Sequence, residues 1–150
     1  MRLIAHDIRS LHNVGSLFRS ADAFGVEKIY LTGVTGTPPR KEIAKVALGS
    51  EHRVPWEHRE DVVGVIKELK RQGWLVYALE TGEGAQVITH FSNHQERLVL
   101  IVGNEVEGLP AELCGLCDHI VEIPMPGIKR SLNVSVAAGI ALFWFRAHMR

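Results

Sequence analysis

The 150-residue sequence lacks the features that mark membrane and secreted proteins. It has no uninterrupted run of about 20 apolar residues, which a membrane-spanning helix needs. Its N-terminus becomes polar too early for a secretory signal, since Arg2, His6 and Asp7 stand in the first segment. It has only 2 cysteines and so no disulfide framework of the kind that stabilises small secreted domains. We therefore expect a soluble, cytoplasmic protein with no membrane partner.

An excess of one charge is also missing, because 17 basic and 17 acidic residues cancel. Proteins that bind nucleic acid electrostatically often carry a basic excess, so the net charge argues mildly against RNA or DNA as a ligand. The local distribution weakens that objection. Arg2, Arg9 and Arg19 lie in the first segment, and Lys129 and Arg130 share a late loop. The sequence is therefore compatible with a basic patch on one face.

Two common nucleotide-binding signatures are absent. The segment 103–108 has the outer glycine spacing of a P-loop, but Leu109 and Pro110 stand where Lys and Ser or Thr must hold phosphate and magnesium. The segment 82–84 lacks the third glycine of a dinucleotide-binding turn. The sequence thus argues against phosphate-loop hydrolysis and against ordinary dinucleotide binding.

Support for a metal site is weak. Cys114 and Cys117 lie near His119, but a zinc site needs four ligands and the chain has no second cysteine pair. His90 and His94 share helical spacing without the Glu that metalloproteases place between their histidines. We expect buried helix cysteines, surface histidines and no metal.

Short apolar runs alternate with segments of helical periodicity. The runs that suit buried strands are 3–5, 28–31, 75–79, 98–102 and 120–123. The helical patterns follow Asn13, cover 43–48, follow Asp61, and cover 110–117 and 131–148. This alternation, with nearly continuous apolar strands, predicts an α/β fold in which a mostly parallel sheet is flanked by helices. No repeat or linker divides the chain, so we expect one domain over residues 1–150.

The last segment, 131–148, is apolar almost all round, whereas a surface helix would show a polar face. Such a helix lies either in the centre of a larger core or against another subunit. Because a domain of this size has a small core, the pattern favours a dimer.

Three polar segments follow apolar runs, where open parallel sheets bind their ligands beyond the carboxyl ends of the strands. They are 12–19 (HNVGSLFR), 103–110 (GNEVEGLP) and 123–135 (IPMPGIKRSLNVS). Each also has a purely structural interpretation, in which Asn13, Ser131 and Asn133 cap helices, Glu105 faces a helix N-terminus and Arg19 is a solvated charge. Capping preference alone would not generate all three segments in one chain.

In this order, the three segments resemble the motifs of the SpoU (TrmH-like) group of SPOUT methyltransferases. Residues 13–19 with 23–26 look like motif one, 103–110 like motif two, and 123–125 with 131–137 like motif three. The resemblance covers nearly the whole chain. It implies the SPOUT fold, in which the C-terminal part forms a trefoil knot, two chains form a homodimer, and S-adenosylmethionine is held bent in the knot loops.

The resemblance also implies roles for individual residues. The catalytic positions are Arg19, Asn13, Glu105, Ser131 and Asn133, with Arg19 acting across the dimer. The cofactor-binding positions lie in the loops at the strand ends: Leu79, Glu80, Thr81, Gly103, Asn104, Gly108, Ile123, Met125, Ser131 and Leu132. We expect RNA to meet the basic residues Arg9, Arg19, Lys129 and Arg130.

The implied reaction is methyl transfer to a ribose 2′-hydroxyl of tRNA or rRNA. Free arginine is a poor base, so we expect Arg19 to position the hydroxyl and stabilise the developing alkoxide, although relatives are proposed to use it as the base. A catalytically silent RNA-binding module and a SPOUT enzyme that methylates a base nitrogen are the alternatives. The chain length resembles that of short relatives that modify the tRNA wobble position, whereas the third motif differs from theirs, so the RNA is left open.

Overall fold

The central strands of this protein are largely apolar because both of their faces are buried. In the computed structural model, which describes residues 1–92 and 97–149, alternate residues of each central strand face two separate core clusters. In the first strand, Leu3 packs into one cluster and Ile4 into the other. In the strand beside it, Leu100 and Ile101 divide in the same way. A sheet that buries both faces needs helices on both sides.

Strands and helices alternate along the described chain, as the apolar pattern predicts. The strands are β1 (Arg2–His6), β2 (Ile29–Thr32), β3 (Trp56–Arg59), β4 (Leu75–Leu79), β5 (Gln86–Val87), β6 (Leu98–Val102) and β7 (His119–Glu122). The helices are α1 (Leu11–Ala23), α2 (Lys41–Ala47), α3 (Ser50–Arg53), α4 (Val62–Arg71), α5 (Ala111–Leu116) and α6 (Val134–Ala147). A short 3₁₀ helix covers Ile88–His90.

All seven strands join one sheet in the order β3-β2-β1-β6-β4-β7-β5, and every pairing between neighbours is parallel. The predicted α/β fold with a mostly parallel sheet is therefore confirmed. The chain leaves β1 in one direction to form β2 and β3, and it later places β6 on the other side of β1. Such a change of direction opens a crevice at the carboxyl ends of the strands, where ligands bind in sheets of this kind.

The helices cover the sheet in two layers. Residues of α1, α2 and α6 belong to the core cluster on one face, and residues of α4 and α5 belong to the cluster on the other. Among the described residues, no helix is long and apolar enough to cross a bilayer. His94 lies outside the described residues, and His90 is exposed in the 3₁₀ helix.

Two strands and one helix start differ from the expectations. Apolar patterning misses β3 and β5 because they are the edge strands, where part of the chain faces solvent and polar residues are tolerated. The helical pattern predicts that the first helix follows Asn13, but α1 begins at Leu11, with Ser10 as its N-cap and the Ser10 side chain accepting a hydrogen bond from the Asn13 N–H. The alternative interpretation of Asn13 as a helix cap therefore does not hold. Asn13 is thus a helical residue whose side chain is free for another contact.

The final helix is shorter than its apolar pattern suggested. It begins at Val134 with Asn133 as N-cap, so Ser131 precedes the helix and is not its cap. The segment from Ile123 to Leu132 carries no helix or strand and links β7 to α6. The trefoil knot that the family resemblance implies for this part of the chain stays a prediction.

The close approach of α1 and α2 depends on a glycine. A Cβ on Gly15 would lie 2.6 Å from the carbonyl oxygen of Ile43 and 2.9 Å from the Val46 Cβ. We expect Gly15→Ala to lower the free energy of unfolding by about 1–3 kcal/mol, because the helices must move apart. Urea unfolding measures this loss.

Gly115→Ala is the matched control, since Gly115 is also helical and a Cβ there would meet nothing within 4 Å. This control should be neutral or slightly stabilising because alanine favours helix. Equal stability of the two variants would contradict the packing argument.

Candidate active site

A cavity of about 200 Å³ lies at the carboxyl ends of β4, β6 and β7. It is formed by the loops that follow these strands and by the start of α6. Each of the predicted cofactor-binding residues lines it: Leu79, Glu80, Thr81, Gly103, Asn104, Gly108, Ile123, Met125, Ser131 and Leu132. The structure therefore brings together four segments that are distant in the sequence.

The turn after β6 forms one wall of the cavity, and Asn104 holds its shape. The Asn104 Oδ1 accepts hydrogen bonds from the N–H groups of Val106 and Glu107, both at 2.9 Å. Its Nδ2 donates to the Asp7 carbonyl at 3.0 Å, which ties the turn to the loop after β1. Asn104 therefore acts on the cavity through the backbone.

Glu80 fixes the other end of the same turn. Its Oε2 accepts a hydrogen bond from the Leu109 N–H at 2.9 Å, and its Oε1 accepts one from the Thr81 N–H at the same distance. Gly108 adopts φ +69°, and a Cβ there would collide with the Glu80 carboxylate. Only glycine satisfies both conditions without strain, so Gly108 lets the backbone approach the end of β4.

Glu105 joins this turn to the start of α1. Its carboxylate accepts hydrogen bonds from the N–H groups of Ser10 (3.0 Å) and Arg9 (3.3 Å) and from the Asn13 Nδ2 (3.4 Å). Burial by itself raises the pKa of Glu105, but the hydrogen bonds from Ser10, its own backbone, Arg9 and Asn13 outweigh it and leave the pKa below its ordinary value. Glu105 is therefore ionised at neutral pH.

The contact chain continues from α1 to α6. The buried Asn13 accepts at its Oδ1 a hydrogen bond of 3.3 Å from the Asn133 Nδ2. The Asn133 Oδ1 accepts in turn from the Ser135 N–H at 2.9 Å and from the Ser135 hydroxyl at 2.6 Å. Glu105, Asn13 and Asn133 thus link all three sequence motifs by side-chain hydrogen bonds beside the cavity.

Arg19 does not line the cavity of its own chain. It is exposed on α1 and faces a groove between α1 and α6, which we call the α1–α6 groove. That groove is lined by Arg19, Phe24, Val46, Val136, Ile140 and Phe143, among others. Within one chain the structure therefore places four of the five predicted catalytic residues beside or around the cavity and leaves Arg19 elsewhere.

The predicted RNA-binding residues are all exposed. Arg130 also lines the cavity, and the Arg9 backbone contributes the hydrogen bond to Glu105, while Lys129 and Arg19 present their side chains to solvent. Ser131 lines the cavity from the segment before α6. Their exposure suits a surface that meets a large anionic ligand.

Sequence reasoning missed some contributors to this site. Ser10 serves both as the cap of α1 and as a donor to Glu105, and Ser135 closes the contact chain at Asn133. A helix-cap preference points to Ser10 as readily as to Asn13, and only the spatial position of Glu105 separates their roles. Glu122 lines the cavity at the end of β7, and no sequence pattern distinguished it from a strand residue.

The two cysteines suit a structural role. Cys114 is buried, and Cys117 is partly buried and donates a hydrogen bond to the Leu113 carbonyl at 3.2 Å. Burial raises the pKa of both thiols, that of Cys117 to about 12, so they are protonated at neutral pH. Within residues 1–92 and 97–149 no group of three or more His, Cys, Asp or Glu side chains is arranged to hold a metal ion. The absence of a metal from the working protein stays a prediction.

Known proteins resemble this chain over almost its full length. An uncharacterized tRNA/rRNA methyltransferase of Synechocystis sp. is 34% identical over 146 residues, which cover 94% of this chain and 36% of that protein. The 23S rRNA (guanosine-2′-O-)-methyltransferase RlmB of Xanthomonas axonopodis pv. citri is 33% identical over 141 residues, which cover 94% of this chain and 56% of that protein. This chain thus spans only part of the length of these relatives.

Solved structures give the same result. An AdoMet-bound rRNA methyltransferase from Sinorhizobium meliloti superposes with a TM-score of 0.91 and 31% identity, covering 98% of this chain and 56% of that one. A protein whose structure concerns 2-OH methylation of C/U34 on tRNA superposes with a TM-score of 0.85 and 25% identity, covering 97% of this chain and 95% of that one. The sequence model of the SpoU rRNA Methylase family matches residues 1–143, and the chain therefore belongs to that family.

Proposed function

We propose that this protein transfers a methyl group from S-adenosylmethionine to a ribose 2′-hydroxyl of RNA, either tRNA or rRNA. The observation that carries the proposal is the side-chain contact chain from Glu105 through Asn13 to Asn133, which joins three separate motifs beside one cavity. A purely structural role for these residues as helix caps would not require them to meet. Both relatives described above are named as methyltransferases of RNA, which supports the same substrate class here.

The cavity suits S-adenosylmethionine in shape and chemistry. Leu79, Ile123, Met125 and Leu132 supply apolar surface for an adenine ring and a methionine side chain. Gly103 and Gly108 bring backbone close to the cavity, and a Cβ on Gly103 would come within 2.7 Å of the Leu109 side chain. When bound, the cofactor supplies an electrophilic methyl group on a sulfonium that is already a good leaving group. No metal is needed for such a transfer.

The chain's own task is to place a ribose hydroxyl in line with that methyl group and to keep it there. Arg19 is a guanidinium with five N–H donors, so it holds the 2′-hydroxyl and the adjacent phosphate and stabilises negative charge that develops on the oxygen. The oxygen bonds to the methyl carbon as the carbon–sulfur bond of the sulfonium breaks, and the hydroxyl proton is released to solvent water. Glu105 and Asn13 keep the start of α1 fixed against the cavity wall, Asn133 caps α6 and bonds to Asn13, and Ser131 lines the cavity.

A homodimer completes the site in this proposal. Arg19 lies outside the cavity of its own chain, so it reaches a reacting hydroxyl only at the cavity of a second chain. Beside Arg19, α6 exposes an apolar face on which Val136, Ile140 and Phe143 are 51%, 41% and 58% exposed. A contiguous apolar face of this kind is typical of a subunit interface.

The first prediction concerns cofactor binding. Gly108→Ala should weaken the affinity for S-adenosylmethionine about tenfold, or about 1.4 kcal/mol, because the new methyl group displaces the Glu80 carboxylate, which lines the cavity and accepts the Leu109 hydrogen bond. Isothermal titration calorimetry measures the dissociation constant.

Gly82→Ala is the matched control for this test. Gly82 also has positive φ, +116°, but a Cβ there meets nothing within 4 Å. The control shares the backbone strain without the collision, so its affinity should stay closer to that of the unchanged protein. Equal affinities of the two variants would argue against the cavity as the cofactor site.

The second prediction concerns Arg19. Arg19→Ala should lower the rate of methyl transfer about 100-fold or more, the usual effect of removing a group that stabilises developing negative charge. Cofactor affinity should change little, because Arg19 is proposed to hold the ribose and phosphate of the RNA, whereas the residues proposed to bind the cofactor line the cavity of one chain. Arg71→Ala, an exposed arginine in the last turn of α4, is the control.

The product is identified by mass spectrometry of nuclease digests of tRNA and rRNA after incubation with the protein and labelled cofactor. A methyl group on the ribose is expected. A methyl group on a base, or full activity of Arg19→Ala, would overturn the proposed reaction.

The third prediction concerns assembly. Phe143→Glu places a charge in the exposed apolar face of α6 and should convert a dimer into monomers, as measured by sedimentation velocity. Val34→Glu replaces a side chain that is 65% exposed in the loop after β2, away from α6, and should leave the mass unchanged. A chain that is already monomeric before substitution would contradict the dimer.

A further inference from the structure

Asp22 lies three residues after Arg19 on α1, and residues at this spacing are neighbours on a helix surface. Both side chains, together with Arg53, line a groove of about 460 Å³ at the junction of α1 and α3, which we call the Arg19–Arg53 groove. An aspartate in this position is a natural ion-pair partner for Arg19. An Arg19 bound to its own helix would be unavailable to a second chain.

Two residues of α3 donate hydrogen bonds to the Asp22 carboxylate. Its Oδ2 accepts a hydrogen bond from the Ser50 hydroxyl at 2.9 Å and from the Arg53 Nε at 2.8 Å, and the Arg53 Nη2 lies 2.7 Å away. The hydrogen bonds from Arg53 and then Ser50 hold the pKa of Asp22 below its ordinary value. Asp22 is therefore ionised and already paired, although Arg19 lies one helical turn away.

The ion pair between Asp22 and Arg53 contributes little to the stability of the fold. The side chain of Arg53 is 60% exposed and that of Asp22 is 30% exposed. Exposed pairs of this kind contribute little to the free energy of unfolding, because water and salt screen them. Among the described residues Arg19 takes part in no ion pair. The pairing of Asp22 with Arg53 therefore leaves the guanidinium of Arg19 without its nearest carboxylate partner on α1.

We propose that Arg53 is a positioning residue for methyl transfer, which occupies Asp22 and thereby keeps Arg19 free to act at the cavity of the partner chain. The proposal rests on the proposed function of Arg19. Ser50 assists by holding the carboxylate towards α3. Arg53 does not line the cavity of its own chain, and in this proposal its effect on methyl transfer passes through Asp22 and Arg19.

The alternative is that Arg53 contacts an RNA phosphate directly, since it lines the same groove as Arg19. The two explanations differ in what happens when Asp22 loses its charge. If Arg53 only occupies Asp22, neutral Asn at position 22 makes Arg53 dispensable. If Arg53 binds phosphate, its loss does the same damage whether or not Asp22 is charged.

The test is a cycle of variants: Arg53→Gln, Asp22→Asn, and the two together, in the full chain. For each, kcat and the KM values for RNA and S-adenosylmethionine are measured at low and at high salt. Arg53→Gln should lower kcat about fivefold at low salt, because freed Asp22 captures Arg19 in a groove that screens charges less than bulk water. High salt should shrink this loss, and the KM for S-adenosylmethionine should not change.

The decisive result is rescue. Asp22→Asn and the double variant should both have a kcat within about twofold of the unchanged protein, since neither contains the competing carboxylate. A double variant as slow as Arg53→Gln would overturn the proposal and favour direct phosphate contact. A loss of kcat in Asp22→Asn equal to that in Arg53→Gln would overturn it in favour of a structural ion pair.

Thermal unfolding of every variant separates these outcomes from instability, and a melting temperature that falls in parallel with kcat would also overturn the proposal. An unchanged protein without methyltransferase activity on any tRNA or rRNA would refute the proposed function instead. The failure of one proposal is thus distinguishable from the failure of the other.

Discussion

The carboxylate of Glu105 is the contact on which the rest of the site depends. It is the acceptor for two backbone N–H groups before α1 and for the Asn13 amide, and it stands in the turn that forms a wall of the cavity. Hydrogen bonds to a charged acceptor are stronger than those between neutral groups. Asn13 in turn accepts a hydrogen bond from Asn133, which holds the start of α6 against α1. One ionised group therefore sets the relative positions of three segments far apart in sequence.

The sheet makes this contact possible. Because β1 lies between β2 and β6, and β4 and β7 follow β6, the loops after four parallel strands meet at one edge. The order of the strands in the sheet, and not the order of the motifs in the sequence, decides which loops lie next to one another. Asn104, which bonds to the Asp7 carbonyl, and Glu80, which bonds to Leu109, then fix the turn between them from both sides. The cavity wall is accordingly backbone that is held by side chains.

Much of this arrangement could be predicted from the sequence, and the exceptions have physical reasons. Buried strands such as β6 are apolar on both faces and are recognisable, whereas the edge strands β3 and β5 share their surface with solvent and carry no such signal. The motif resemblance predicts a set of cofactor-binding positions, and all of these positions line one cavity in the structure. The cap of α1 could not be chosen from the sequence, because Ser10 and Asn13 are equally good caps and only the contact of Asn13 with the distant Glu105 distinguishes them.

Arg19 lies apart from the cavity that the predicted cofactor-binding residues surround. The cavity is built from residues of one chain, while Arg19, which is proposed to hold a ribose hydroxyl, lines a separate groove next to an exposed apolar face of α6. In the proposed function Arg19 acts on a second chain, so its guanidinium needs to be unpaired within its own chain, and a helix neighbour such as Asp22 would otherwise pair with it. The contacts of Asp22 with Ser50 and Arg53 prevent that pairing. The proposed sharing of the site between two chains therefore places requirements on residues that line no part of the cavity, such as Asp22 and Arg53.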